Sequence, residues 1–249
     1  MARSSREIAE SSCYHVILRG NGKQILFEDD EDYETFLLFL KKALEGTDVA
    51  LYAWCLMDNH VHLCLRDTEA ELDKVMRRLG TRYAMYFNNK TGHVGHVFQS
   101  RFTSAPIENE RYLFETIRYI HNNPCKAGIS SAEAYRWSSY REYIEKPELC
   151  EVAGVLGDLG GVEGFREFIN GCPLEGFRPP AERRVRVSDE EAREIAAEIY
   201  PGMSMDAVKS LPLQQRNAVL VRLKSEGISA RQLERLTGIG RNLINRAVR

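Results

Sequence analysis

No Cys-x-x-Cys pair occurs among the six cysteines, at positions 13, 55, 64, 125, 150 and 172, which argues against a zinc knuckle. No run of about 18 apolar residues occurs either, so a membrane-spanning helix is not expected. The N-terminal stretch MARSSREIAESS is polar and lacks the apolar segment of a secretory signal. Cys55 and Cys64 lie among apolar residues and read as small buried hydrophobes, a usage that suits a reducing cytosol. These absences point to a cytoplasmic protein. Its 249 residues fit one large domain or a domain with an appendage.

The net charge of −2 has no strong sign, but its distribution is uneven. Phe27 to Glu34 is acidic. Leu213 to Arg249 carries eight Arg or Lys against two acids, a net of +6 of the kind that attracts phosphate backbones.

The most informative stretch is His60-Val61-His62, with apolar residues on both flanks. That context predicts a central strand. Alternate residues on a strand share a face, so both imidazoles point one way and Val61 the other. Two histidines on a rigid face are half of a divalent-metal site.

Strands are predicted at Cys13–Gly20, Val49–Met57 and His60–Arg66, with Asp58-Asn59 as a hairpin turn between the last two. Val97–Ile107 reads as extended. Helices are predicted over Asp30–Leu44, Thr68–Asn88 and Asn109–Asn122, the last stopped by Pro124. This order suggests an α+β fold with helices on one face of an antiparallel sheet. Gly154–Gly161 reads as a boundary and Gly171–Arg186 as a linker. Leu213–Glu226, Ser229–Thr237 and Arg241–Val248 then have the cadence of a helix-turn-helix, with Gly238-Ile239-Gly240 at the turn. The expected division is 1–147, a connecting helix and linker at 148–187, and a small all-α region at 188–249.

Tyr119 and Asn123 are four apart in RYIHNNPCKAG, so they share a helix face. That face offers a hydroxyl for attack beside an amide oxygen for a metal. A tyrosine is a poor nucleophile near neutrality, with a pKa of about 10. A divalent cation on the scissile phosphate offsets this weakness.

HVH in a strand, RYIHNNPCKAG on a later helix, the early YHVILRGN, GHVFQSRF and the WSSY segment together resemble the single-tyrosine HUH transposases. The branch they most resemble is the REP-associated tyrosine transposases. The resemblance spans Tyr14 to Tyr143. It implies a ferredoxin-like α+β core that nicks single-stranded, hairpin-containing DNA with Mg²⁺ or Mn²⁺. It implies His60 and His62 as metal ligands and Tyr119 as the nucleophile linked to a 5′ phosphate. Asn123 stands at the third-ligand position, where the insertion-sequence branch tends to have Gln. Asp58 stands where the family often has Pro, and Cys125 where it often has Val.

Arg77, Arg78 and Arg82 form either a solvated helix face or, with Tyr83 and Tyr86, a stacking surface for single strands. Arg19 and Asn21 in the RGN turn, Arg101 and Lys126 are further candidates for phosphate contact. Arg231 and Arg241 are candidates for duplex contact in the C-terminal region. The enzyme reading is a DNA strand transferase; the alternative is a domesticated, non-catalytic hairpin-DNA-binding protein. A monomer and a homodimer are both compatible with the sequence.

Overall fold

The first strand, β1 (Cys13–Arg19), forms where alternation predicts it and is buried over almost its whole length, as suits a central strand covered on both faces. It lies between β3 (His60–Asp67) and β4 (Thr103–Ile107), and β2 (Val49–Met57) pairs with β3. All three pairings are antiparallel, and the strand order is β2-β3-β1-β4. The computed structural model describes residues 9–175, 177, 179 and 189–247. Much of the expected linker at Gly171–Arg186, and Val248 and Arg249, lie outside the described residues.

Helix α1 (Asp30–Leu44) connects β1 to β2, and α2 (Leu72–Thr91) connects β3 to β4. Each connection joins strands that are parallel with one strand between them. Right-handed crossovers put both helices on one face of the sheet. The two helices meet through Phe36 and Tyr83, whose rings are 5.0 Å apart. This is the split βαβ arrangement of a ferredoxin-like sheet.

Helix α1 begins where the sequence places it because Asp29 and Asp32 form a reciprocal capping box. Helix α2 starts four residues later than Thr68. The Asp67 carboxylate accepts from the amides of Glu71 and Leu72, and Ala70 holds a positive φ of 58° ahead of the helix. The extended segment before β4 is also shorter than expected: Phe98 bridges to Gly20, and regular pairing resumes only at Thr103.

Backbone contacts divide the chain into two units, residues 1–181 and 182–249. The first unit continues well past residue 147. Helix α5 (Tyr140–Ile144) follows a segment that pairs with the edge of β2, where Leu56 donates to Trp137 and Ser139 to Trp54. Helices α6 (Ala153–Leu159) and α7 (Gly161–Asn170) belong to the same core. Phe165 of α7 stacks on Tyr143 at 4.3 Å. The Gly154–Gly161 stretch thus comprises most of α6 and its junction with α7, inside the first unit.

The second unit has its own core of Ala192, Ala196, Val208, Leu220, Leu223, Ile228, Leu233 and Ile244. It comprises α8 (Asp189–Ile199), a 3₁₀ turn, α9 (Leu213–Ser225), α10 (Ala230–Thr237) and α11 (Arg241–Ala247). Ser229 caps α10 in a box with Gln232, and Gly238 ends it in the left-handed region at φ 67°. No helix among the described residues is long and apolar enough to cross a membrane.

Candidate active site

Cross-strand register decides which side chains can meet. His62 of β3 lies opposite Ile17 of β1, and Cys64 lies opposite His15. His15 and His62 are therefore diagonal neighbours on one face, with His60 beyond them. Val61 faces the other side, fully buried in the core. The histidine pair predicted from alternation thus stands on one face, with ring centroids 4.9 Å apart.

Helix α3 (Glu110–His121) covers this face. Asn109 caps it by accepting from the Tyr112 amide. Its Tyr119 ring meets His62 edge-on at 5.6 Å and His15 at 5.8 Å. Tyr119 is only 5% exposed. The Lys126 ammonium, from the short helix α4 (Asn123–Lys126), lies 4.0 Å from the centre of the Tyr119 ring. That distance gives an attraction of order 1 kcal/mol and keeps a cation beside the phenol.

The break between α3 and α4 follows from Pro124. Proline has no N–H, so the Ile120 carbonyl loses its helical donor. The Asn123 side-chain amide nitrogen donates to the Tyr119 carbonyl at 2.8 Å and to the Ile120 carbonyl at 3.4 Å. With its nitrogen spent on the helix end, the remaining group Asn123 can offer a metal is its amide oxygen.

Three conditions test whether these residues fit a divalent cation. First, the imidazoles must be neutral. Burial, aided by the Arg19 charge, lowers the His60 pKa to about 4. His62 is pushed well below the ordinary value by burial, then by His15, His60, Arg19 and Lys126. Second, a lone pair must be available. His60 Nδ1 is 2.7 Å from the Asn59 amide oxygen, which can only accept, so His60 Nε2 carries a lone pair. Third, the set must be open. Among the described residues no three His, Cys, Asp or Glu side chains gather as a metal cluster. Two imidazoles and one amide oxygen leave positions for phosphate oxygens and water, as a catalytic cation requires. The residues fit.

Residues 9–123 match the family model described as transposase IS200 like. This segment is similar to IS200-like transposases. The matched region holds the whole sheet, the histidine face and Tyr119. Among solved structures, a REP-associated tyrosine transposase bound to a REP hairpin is similar, with a TM-score of 0.49 and 17% identity over 58% of this chain and 86% of that one. No curated protein matches.

The fold brings together some sequence candidates and separates others. Arg19 pairs with His60 in the β1–β3 ladder, and Lys126 touches Tyr119, so both flank the histidine face. Asn21 lies in the exposed 3₁₀ turn that follows β1, and Arg101 is exposed just before β4. Arg77, Arg78 and Arg82 are exposed on α2, on the side of the sheet away from the histidines. Tyr83 is a correction. It is fully buried, and its hydroxyl donates to the Leu26 carbonyl at 2.6 Å. It has no open face on which a base could stack; the helical periodicity that makes it core outweighs the charge around it. Arg231 and Arg241 are exposed in the second unit, and Arg241 is ion-paired with Glu234 at 2.7 Å.

His15 and Asn59 are the residues that sequence reasoning missed. Asn59 lies next to the histidine motif and its turn position was visible. His15 had no local signal, because its place depends on strand register. His121 is also fully buried, with Nε2 2.8 Å from the Ser139 hydroxyl, and it packs among Tyr140, Tyr143 and Phe165 away from Tyr119.

Proposed function

We propose that this protein is a metal-dependent DNA nickase and strand transferase that cuts hairpin-containing single-stranded DNA through a 5′-phosphotyrosine. The observation that supports the reading best is the approach of Tyr119 to His62 within one chain. A phenol, two neutral imidazoles and two flanking cations, Arg19 and Lys126, are the parts phosphoryl transfer to a tyrosine needs.

In this reading Tyr119 Oη attacks the scissile phosphorus and gives its proton to solvent. The bond to the 3′ oxygen breaks, and that oxygen takes a proton to leave as a hydroxyl. The 5′ side stays esterified to Tyr119. Attack by a DNA 3′ hydroxyl reverses the step and rejoins a strand, so bond energy is conserved. His60 and His62, with the Asn123 oxygen, would hold Mg²⁺ or Mn²⁺, which supplies Lewis-acid polarisation of the phosphate. Lys126 and Arg19 offset phosphate charge, and the buried setting of the histidines keeps them in the neutral, ligating form. Arg77, Arg78, Arg82, Asn21 and Arg101 supply peripheral backbone contacts. The hairpin substrate extends from the REP-associated branch whose motifs this chain carries. Helices α10 and α11, with Arg231 and Arg241, form a separate contact to duplex DNA.

The test uses labelled hairpin oligonucleotides with Mg²⁺ or Mn²⁺, resolved on denaturing gels. The wild type is expected to form a covalent adduct. Tyr119→Phe is expected to form none while binding the hairpin nearly as well. Adduct formation by that variant would sink the assignment. Hairpin binding by the wild type with no metal-dependent nicking would instead support the non-catalytic alternative.

A further inference from the structure

We infer that His15 is a positioning residue for His62: it accepts the His62 Nδ1 proton and so turns a bare Nε2 of His62 toward the site. The inference rests on the proposed function, because it takes His62 as a ligand.

The geometry starts with a contact of 2.9 Å between His15 Nε2 and His62 Nδ1. The ring centroids are 5.1 Å apart and the planes are inclined by 26°, so the rings meet edge to edge through these nitrogens. His15 is completely buried and His62 is 1% exposed. Neither ring nitrogen in this contact can be satisfied by bulk water. The β1–β3 ladder sets the diagonal separation of the two residues, and burial confines their rings.

Two neutral imidazoles joined by one hydrogen bond share one proton between those nitrogens. One ring donates and the other accepts. Both rings are buried side by side, where two imidazolium charges would be desolvated and repel each other. Only two arrangements are then possible. If His15 donates, His62 Nδ1 is the acceptor and its Nε2 bears the proton. Such a ring cannot ligate through Nε2, and its Nδ1 is already occupied. If His62 donates, its Nε2 is a lone pair and the ring is ready to bind.

His60 indicates which arrangement the site uses. The Asn59 amide oxygen accepts from His60 Nδ1 at 2.7 Å and leaves Nε2 bare. The same rule applied to His62 makes His15 the acceptor. Each site histidine then has its own orienting partner on the Nδ1 side, an amide oxygen for one and an imidazole for the other. Such outer partners fix tautomer and ring angle, and their loss commonly costs 10–100-fold in metal affinity. The edge of Tyr119 against His15 places this support directly beneath the phenol as well.

The experiment uses the full chain, free of metal, with ¹⁵N-labelled histidine. Long-range proton–nitrogen correlation spectra are expected to show His62 as the Nδ1–H tautomer. A His62 Nε2–H tautomer would overturn the inference, and this readout needs no variant. Mn²⁺ affinity is then measured by electron paramagnetic resonance for wild type, His15→Phe and His15→Gln, with thermal melting to confirm folding. Phe removes the acceptor, and about 10–100-fold weaker binding is expected. Gln restores an acceptor oxygen, and affinity nearer wild type is expected. Wild-type affinity in a folded His15→Phe protein would refute the positioning role.

His62→Ala separates this result from the parent reading. If that variant binds Mn²⁺ as the wild type does, the metal assignment itself fails. If the wild type binds Mn²⁺ through His62 and never forms the Tyr119 adduct, the proposed reaction fails while the His15 role stands.

Discussion

Asp32 is buried yet acts as a hub of charge. Burial alone raises the pKa of its carboxyl, but hydrogen bonds from Lys90, the Glu28 amide and Tyr86 outweigh it and hold the value below the usual one. The Lys90 ammonium is 2.7 Å away and the Tyr86 hydroxyl 2.8 Å. A carboxyl that is more acidic when folded stabilises the fold fully above its ordinary unfolded pKa. That contribution fades as pH falls through the lower folded value. Asp32→Asn is expected to cost about 2 kcal/mol at neutral pH, since it removes hydrogen bonds to a charged group. It should also flatten the loss of stability below the ordinary carboxylate range, read by urea titrations at several pH values. An unchanged acid slope would show that other carboxylates govern it. At this scale the sequence was legible where chemistry is carried by local pattern. His60 and His62 announced a shared face by their spacing, and Tyr119 a helix face by its neighbours; their roles belong to the proposed function. His15 did not, because its partner is 47 residues away and reached only through the β1–β3 register.

Elements were legible where their ends carry chemical signals. The bounds of α1 follow from its capping box, and those of α3 from Asn109 and Pro124. What hid was the role of α5 to α7, because short helices with few periodic positions look like connectors. Their attachment is polar as well as apolar. Glu142 of α5 accepts the Trp54 indole at 2.7 Å and the amides of Glu148, Leu149 and Cys150 at 2.7–2.8 Å. Arg118 of α3 reaches α7 and beyond, donating to the carbonyls of Phe168 and Cys172 and pairing with Glu115 at 3.0 Å. Both groups are buried, so loss of either leaves polar partners unsatisfied. Arg118→Ala is expected to destabilise the first unit by about 3 kcal/mol, measured by denaturant unfolding. A change under about 0.5 kcal/mol, typical of an exposed residue, would show that the buried network is dispensable.

For the whole molecule, the sequence reading put a small all-α region at 188–249, and the second unit spans 182–249. The division near residue 181 lies well beyond the glycine-rich stretch at 154–161, because Phe165 and Ile169 bury themselves in the first core. Glycine frequency signals a turn and says nothing of what the flanking helices touch. The second unit has a separate core centred on residues such as Leu233. Leu233→Ala is expected to cost about 3 kcal/mol there. Hydrogen exchange should show lost protection in α9 to α11 with β1 to β4 unaffected. Matching losses in the sheet would mean that the two cores unfold as one.

Tyr119 and the two histidines belong to a single polypeptide. A centre that needs a second copy to complete it works at a rate set by the square of concentration, and falls silent on dilution. A centre closed within one chain loses output only in proportion. On the proposed reading, one molecule beside its substrate suffices, and scarcity lowers the frequency of cutting without abolishing it.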